Sequence, residues 1–162
     1  MPMAKVETVM LGREEIFPGM VFDFGPISVS ETEIIHFAKS HDPLWLHTDP
    51  EAAANGPWKG IIASGPMLFS EFHRRFWIPK FGATVIGGMG IHNWEFFKPH
   101  FPDASVKGIL SVVEIEIKPG SKTAAVRWDY RFLDVNDELM QSFQYTVLHS
   151  TGGFTWINQI EE

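Results

Sequence analysis

An aspartate and a histidine lie five positions apart in His41-Asp42-Pro43-Leu44-Trp45-Leu46-His47, where Pro43 interrupts regular helix. Neither helical nor strand periodicity fixes the separation of Asp42 and His47, so a turn can bring both side chains to one point. An ionised carboxylate is a strong acceptor, and an imidazole can hold or release a proton near neutral pH. Together they can orient a water, remove its proton and return one to a substrate, the equipment for adding water across an activated double bond. The reaction also needs a stabiliser for the charge that develops on a thioester oxygen, and backbone N–H groups at a helix N-terminus suit that role. In Ser64-Gly65-Pro66 the proline cannot donate, whereas Gly65 offers an N–H with no side chain to block approach. Asp42, His47 and Gly65 are therefore the candidate catalytic groups.

The elements around them are legible from pattern. Met20 to Val29 reads as a strand ending at Ser30, where Ser30-Glu31-Thr32-Glu33 has the form of a capping box before a helix with Ile34, Ile35, Phe37 and Ala38. That helix should stop near Ser40. Asp49-Pro50 supplies an N-cap and first-turn pair for a short helix through Ala54, ended by Asn55-Gly56-Pro57. A long apolar helix begins at Ser64 or Gly65, with Ser64 read as its cap, and carries Met67, Leu68, Phe69, Phe72 and Phe76 to about Trp77, before Pro79. From Thr84 onward the period becomes two. Val113, Ile115 and Ile117 alternate with glutamates, Val126, Trp128, Tyr130 and Phe132 alternate with charged residues, and Phe143, Tyr145 and Val147 follow the same rule. Lys118-Pro-Gly-Ser121 and Asp134-Val-Asn-Asp137 are turn chemistry, so these strands should pair as antiparallel hairpins. Each strand has one apolar face, and the helix after Gly65 is the element able to cover it. The expectation is an α+β hot-dog fold spanning 1–162 as one domain, a curved antiparallel sheet wrapped around a central helix.

The stretch from Phe37 through Asp42 and His47 to Ala53, followed by Gly60-Ile-Ile-Ala-Ser64-Gly65, resembles the hydratase motif of the MaoC-like dehydratases and (R)-specific enoyl-CoA hydratases. The resemblance extends through Gly88 to Phe101 and the three closing strands. It implies that Asp42 and His47 form the catalytic pair and that Gly65 gives a backbone hydrogen bond to the thioester carbonyl. It implies an acyl-CoA or other acyl thioester as substrate, reversible hydration of trans-2-enoyl-CoA to (R)-3-hydroxyacyl-CoA, and no cofactor. Many members carry asparagine near the aspartate, where this chain has Leu44 and Trp45. The serine that in some hydratases lies two helical turns past the glycine corresponds to His73, with Ser70 one turn nearer. Ser64, Trp45, Ser70 and His73 are thus the candidate substrate-binding residues.

Other readings compete. Asp42 could merely end a helix and His47 could be a hydrogen-bonded structural histidine. The same scaffold could bind an acyl thioester without turning it over, or act as a hot-dog thioesterase. His36, His41, His47, Asp42 and Asp49 lie close in sequence but lack the i, i+4 histidine pair of a zinc helix, so no metal is expected. Trp45, Trp58, Trp77 and Trp94 read first as core or interface, and Arg74, Arg75, Lys80 and Lys98 as a solvated face that could meet carrier phosphates.

Composition sets the limits. A net charge of −7, with Arg74-Arg75 as the longest basic run, argues against a nucleic-acid surface. Cysteine is absent, which removes thiolate chemistry and a disulfide framework. The opening MPMAKVETVM lacks an apolar export segment and no run is long enough to span a bilayer, so no membrane partner and a cytoplasmic location are expected. Fourteen Phe and six Trp are many for one core of 162 residues, and a single sheet leaves edge strands unpaired. A homodimer or a larger even-numbered homo-oligomer is the expected assembly.

Overall fold

A computed structural model describes residues 7–152; the segment read for an export signal and the closing residues lie mostly or wholly outside them. Two short strands, β1 (Val9–Leu11) and β2 (Glu14–Ile16), form a hairpin of their own. The main sheet comprises β3 (Val21–Ile27), β4 (Val85–Phe96), β5 (Val106–Ile117), β6 (Thr123–Leu133) and β7 (Leu139–Ser150), in the spatial order β3-β5-β6-β7-β4, with every pair antiparallel. The β5-β6-β7 meander follows the expected turns. Asp134 builds the second of them by accepting the backbone N–H groups of Asn136 and Glu138.

Alternation holds in β6, where Val126, Trp128, Tyr130 and Phe132 are all buried. In β5 it does not run through. A register shift between Val112 and Glu114 makes Val113 an extra residue, so Val106, Leu110 and Val112 share the inner face with Ile115 while Val113 is exposed at the bulge; Ile117, in phase with Ile115, is exposed at the strand end. The sequence pattern that grouped Val113 with Ile115 and Ile117 is corrected by this bulge.

The helices lie between β3 and β4 in the chain. Ser30 closes the capping box at the start of α1 (Glu31–His41): its hydroxyl accepts from the Glu33 N–H and the Glu33 carboxylate accepts from the Ser30 N–H. The short α2 (Trp45–Thr48) and α3 (Pro50–Asn55) follow, α3 capped by Asp49 through the Ala52 N–H. The apolar helix α4 (Gly65–Phe72) continues through a π turn (His73–Trp77), α5 (Ile78–Phe81) and a 3₁₀ turn (Gly82–Thr84), so the helical path runs beyond Pro79 rather than stopping before it. Pro79 brings no N–H, and the preceding turn shifts to the wider i→i+5 pattern, with the Ile78 N–H on the His73 carbonyl.

This helical body covers the sheet. Phe72 packs on Phe132, Phe69 on Phe143, and Phe81 and Trp77 on Trp128, with ring centroids 4.7–5.8 Å apart. A side chain at Gly108 would meet the Phe72 ring at 2.8 Å, so the bare backbone of β5 is what lets the helix come so close. A smaller cluster of Val29, Ile34, Ala53, Ile61, Ala63 and Met67 fastens α1 and α3 to the segment leading into α4. That second cluster is the platform of the site.

Candidate functional site

Asp42 follows the last turn of α1, its N–H still bonded to the Ala38 carbonyl, and His47 lies one turn into α2, with its N–H on the Leu44 carbonyl. The extended run Ile61 to Ser64 passes beside them. It is held on one side by the Ile62 N–H to the Leu46 carbonyl, at 3.2 Å, and on the other by the Ala63 N–H to the His100 carbonyl, at 2.8 Å. His47 is buried, and its Nδ1 donates to the Ile62 carbonyl at 2.6 Å. A carbonyl only accepts, so the proton sits on Nδ1, and in the neutral ring Nε2 carries the lone pair. That Nε2 is 3.4 Å from Oδ2 of Asp42. The turn thus brings the aspartate and the histidine to one point.

Ser64 occupies the N-cap position of α4, but its hydroxyl makes no capping bond. It is buried and donates instead to Oδ2 of Asp42 at 2.7 Å, correcting its reading as a cap. Gly65 is the first residue of α4, where an N–H has no intrahelical acceptor, and no partner for it is recorded among the described residues. Its φ is not left-handed. The space beside it is taken by the Phe96 ring, which an added Cβ would meet.

Asp42, His47 and Gly65 line one cavity of about 320 Å³, together with Trp58, Ile62, Phe96, Phe97, Lys98, His100 and Gln141. Ser64 touches it through Asp42. Trp45 turns away: it is half exposed and stacks over Gly56, whose Cβ would meet its ring at 2.8 Å. Leu44 is exposed as well, so neither departure from the motif fills the cavity. Ser70 and His73 sit further along the helical body and do not line it. His73 stacks on Trp77 at 4.6 Å, and burial lowers its pKa to about 4. Of the candidate substrate-binding residues, only Ser64 is drawn to the pair.

The basic residues considered for carrier phosphates already have carboxylate partners. Arg74 and Arg75 pair with Glu71, Lys80 with Glu14, and Lys98 with Asp134 and Glu138. The histidines near the motif diverge. His36 is exposed on α1 and His41 bonds to the Phe37 carbonyl, while among the described residues no group of three metal-ligating side chains forms. No helix of the described residues is long and apolar enough to cross a membrane.

Phe96, Phe97, His100 and Gln141 escaped the sequence reading as site residues. They arrive from the end of β4, the following loop and the start of β7, segments that pair only in the folded sheet, and nothing in their spacing announces a shared cavity. Gln141 interrupts the alternation of β7, since Met140 and Gln141 are both buried.

Known proteins share this fold. A monoamine oxidase regulatory protein from Archaeoglobus fulgidus superposes with a TM-score of 0.74 at 26% identity, covering 84% of this chain and 92% of its own. A MaoC-like dehydratase from Rhodospirillum rubrum gives a TM-score of 0.70 at 23% identity over 83% of this chain and 92% of its own. The (R)-hydratase PhaJ1 of Pseudomonas aeruginosa gives 0.64 at 20% identity over 82% and 81%. In sequence, the uncharacterized protein YdeM of Bacillus subtilis (strain 168) is 33% identical over 107 residues, 65% of this chain and 75% of its own length. The MaoC like domain family matches residues 15–133, which takes in β3, the motif with Asp42, His47 and Gly65, the helical body and the sheet through β6. A curved sheet on a central helix, joined to that sequence match, gives the assignment: this chain is a hot-dog protein of the MaoC-like family.

Proposed function

We propose that the chain catalyses the reversible hydration of trans-2-enoyl thioesters to (R)-3-hydroxyacyl thioesters, with coenzyme A or an acyl carrier protein as the carrier. The observation that carries this reading is the 3.4 Å approach of two acceptors, Asp42 Oδ2 and His47 Nε2, at the wall of a largely apolar cavity. A water donating one hydrogen to each would present its lone pairs to the substrate. As its oxygen bonds to C3, one proton passes to Nε2 and charge develops on the thioester oxygen, where the N–H of Gly65 stabilises it. The proton then moves from the imidazolium to C2. Oxygen and both hydrogens of the water are accounted for, and dehydration is the reverse path.

The aromatic wall of Trp58, Phe96 and Phe97 suits the acyl group and excludes bulk water from the charge. Assembly as a homodimer belongs to the same proposal. β4 is an edge strand of 12 residues with Ile86, Met89 and Ile91 exposed, and a second sheet joined along it would cover them.

The deciding experiment follows the loss of enoyl-thioester ultraviolet absorbance on adding purified protein to crotonyl-CoA and to longer and branched enoyl-CoAs. Turnover yielding the (R)-3-hydroxyacyl product supports the reading. Binding without turnover of any of them would make the chain a thioester-binding protein, and release of free thiol would make it a thioesterase.

A further inference from the structure

The peptide group between Ile62 and Ala63 is held from both sides. Its carbonyl accepts the Nδ1–H of His47 at 2.6 Å, and its N–H donates to the carbonyl of His100 at 2.8 Å. The bond is trans, and in a planar trans peptide these two groups point in opposite directions. The contact with His100 therefore fixes the direction of the carbonyl that faces His47. The two bonds also form a chain, in which donation at one end of the peptide strengthens acceptance at the other.

What holds the His100 carbonyl in place is the imidazole of the same residue. His100 is buried, and its Nε2 lies 3.2 Å from the carbonyl of Ala104, which can only accept, so the ring proton sits on Nε2. Burial pushes the pKa of His100 down, which keeps the ring neutral and Nδ1 bare. The Nε2 bond ties the start of a turn over 100–104 to its end. Within that turn the Ala104 N–H returns to the Phe101 carbonyl at 3.3 Å, and Asp103, at a left-handed φ of 60°, donates its N–H to the Val29 carbonyl at 2.8 Å. Pro99 and Pro102 limit the backbone on either side of His100 and Phe101. We propose that His100 is a positioning residue for His47: its imidazole sets the turn, the turn sets the His100 carbonyl, and the Ile62–Ala63 peptide passes that setting to the tautomer of His47. The effect on turnover rests on the reading of this cavity as a hydratase site; the effect on the His47 ring does not.

Proton and ¹⁵N spectra of the protein labelled at its histidine rings read the tautomer of His47 without any ligand, and His47→Ala identifies its signals among those of the seven histidines. In the wild type, Nδ1 of His47 should show the shift of a protonated ring nitrogen and Nε2 that of a bare one. His100→Leu, which keeps bulk but removes the donor, should move both toward the values of two exchanging tautomers. His100→Gln, whose amide can reach the Ala104 carbonyl, should restore them. With enoyl-CoA substrate, His100→Leu should lower kcat by about tenfold while KM changes by less than about threefold, and His100→Gln should recover most of that loss. His47 signals in His100→Leu identical to the wild type overturn the proposal. Should that variant fail to fold, His100→Asn, too short to reach Ala104, is judged by the same signals. A His100→Gln protein with wild-type His47 signals and a kcat as low as that of His100→Leu also overturns it, since His100 would then act on the substrate directly from the cavity wall. Signals that move with His100 in a protein that hydrates no enoyl thioester sustain the positioning role and remove the hydratase reading. Hydration with His47 signals insensitive to His100 does the reverse.

Discussion

The carbonyl oxygen of Ile62 accepts the Nδ1–H of His47 at 2.6 Å, and this single contact decides which ring nitrogen faces Asp42. With the proton held on Nδ1, Nε2 is the basic atom on the side of the carboxylate. The extended segment before α4 thus does two jobs: its Ile62 carbonyl sets the tautomer of the histidine, and its Ser64 hydroxyl holds the aspartate.

Removing either member of the pair should stop the chemistry and spare the fold. Asp42→Asn and His47→Ala are each expected to lower enoyl-thioester hydration by at least about a hundredfold. The enoyl-CoA absorbance assay measures this, with circular dichroism to check that the variants are folded. Near-normal turnover in either variant would remove the assignment of that residue.

Ser64→Ala should separate positioning from capping. Because the hydroxyl makes no capping bond, helix α4 loses no cap; the carboxylate of Asp42 loses its 2.7 Å donor and is free to turn. The expected result is a kcat about tenfold lower with KM changed by less than about twofold. A higher KM at unchanged kcat would instead place Ser64 against the substrate.

The protein should lose stability as the pH falls from the ordinary histidine range toward about 4. Burial lowers the pKa of both His73 and His149 from 6.5 to about 4. Between those values the unfolded chain binds protons that the folded chain refuses, so stability falls with falling pH. Thr84 donates its hydroxyl hydrogen to the Phe81 carbonyl, so Nδ1 of His149 must supply the hydrogen between His149 and Thr84, leaving Nε2 bare in the core. Urea unfolding at pH 7 and pH 5 measures the loss, and His149→Phe should narrow the difference by roughly one titrating group. An equal difference in that variant would show that His149 does not contribute.

A charge on the free edge of β4 should prevent assembly. Ile91 is exposed on that strand, and Ile91→Lys is expected to turn a dimeric mass into a monomeric one by light scattering at micromolar protein. A wild-type protein that is monomeric at full activity would show that the edge is covered by no second copy.

The capping box at Ser30, the Asp49-Pro50 helix start and the strand phases of β6 were legible because each depends on residues close together in the chain. Local chemistry repeats wherever the same short pattern occurs. The end of the long helix was less legible. Pro79 signals a stop in one dimension, but a π turn before it accommodates the missing N–H, and Trp77 and Phe81, either side of it, each find Trp128 on the sheet to pack against. The bulge at Val113 is a similar case, since the phase of a strand depends on the partner it pairs with.

By itself, then, the sequence determined the two-part motif, the helix starts that flank it and the sheet-on-helix class. Tertiary structure alone decided that Ser64 bonds to Asp42 rather than to its own helix, that Trp45 points away while Trp58 lines the cavity, and that Gln141 reaches Gly65. Gln141 and Gly65 are 76 positions apart, joined only because β7 pairs with β4 and the helical body packs across the sheet. No local pattern encodes such a contact. It exists because a buried amide must find its partners among whatever backbone the fold brings beside it.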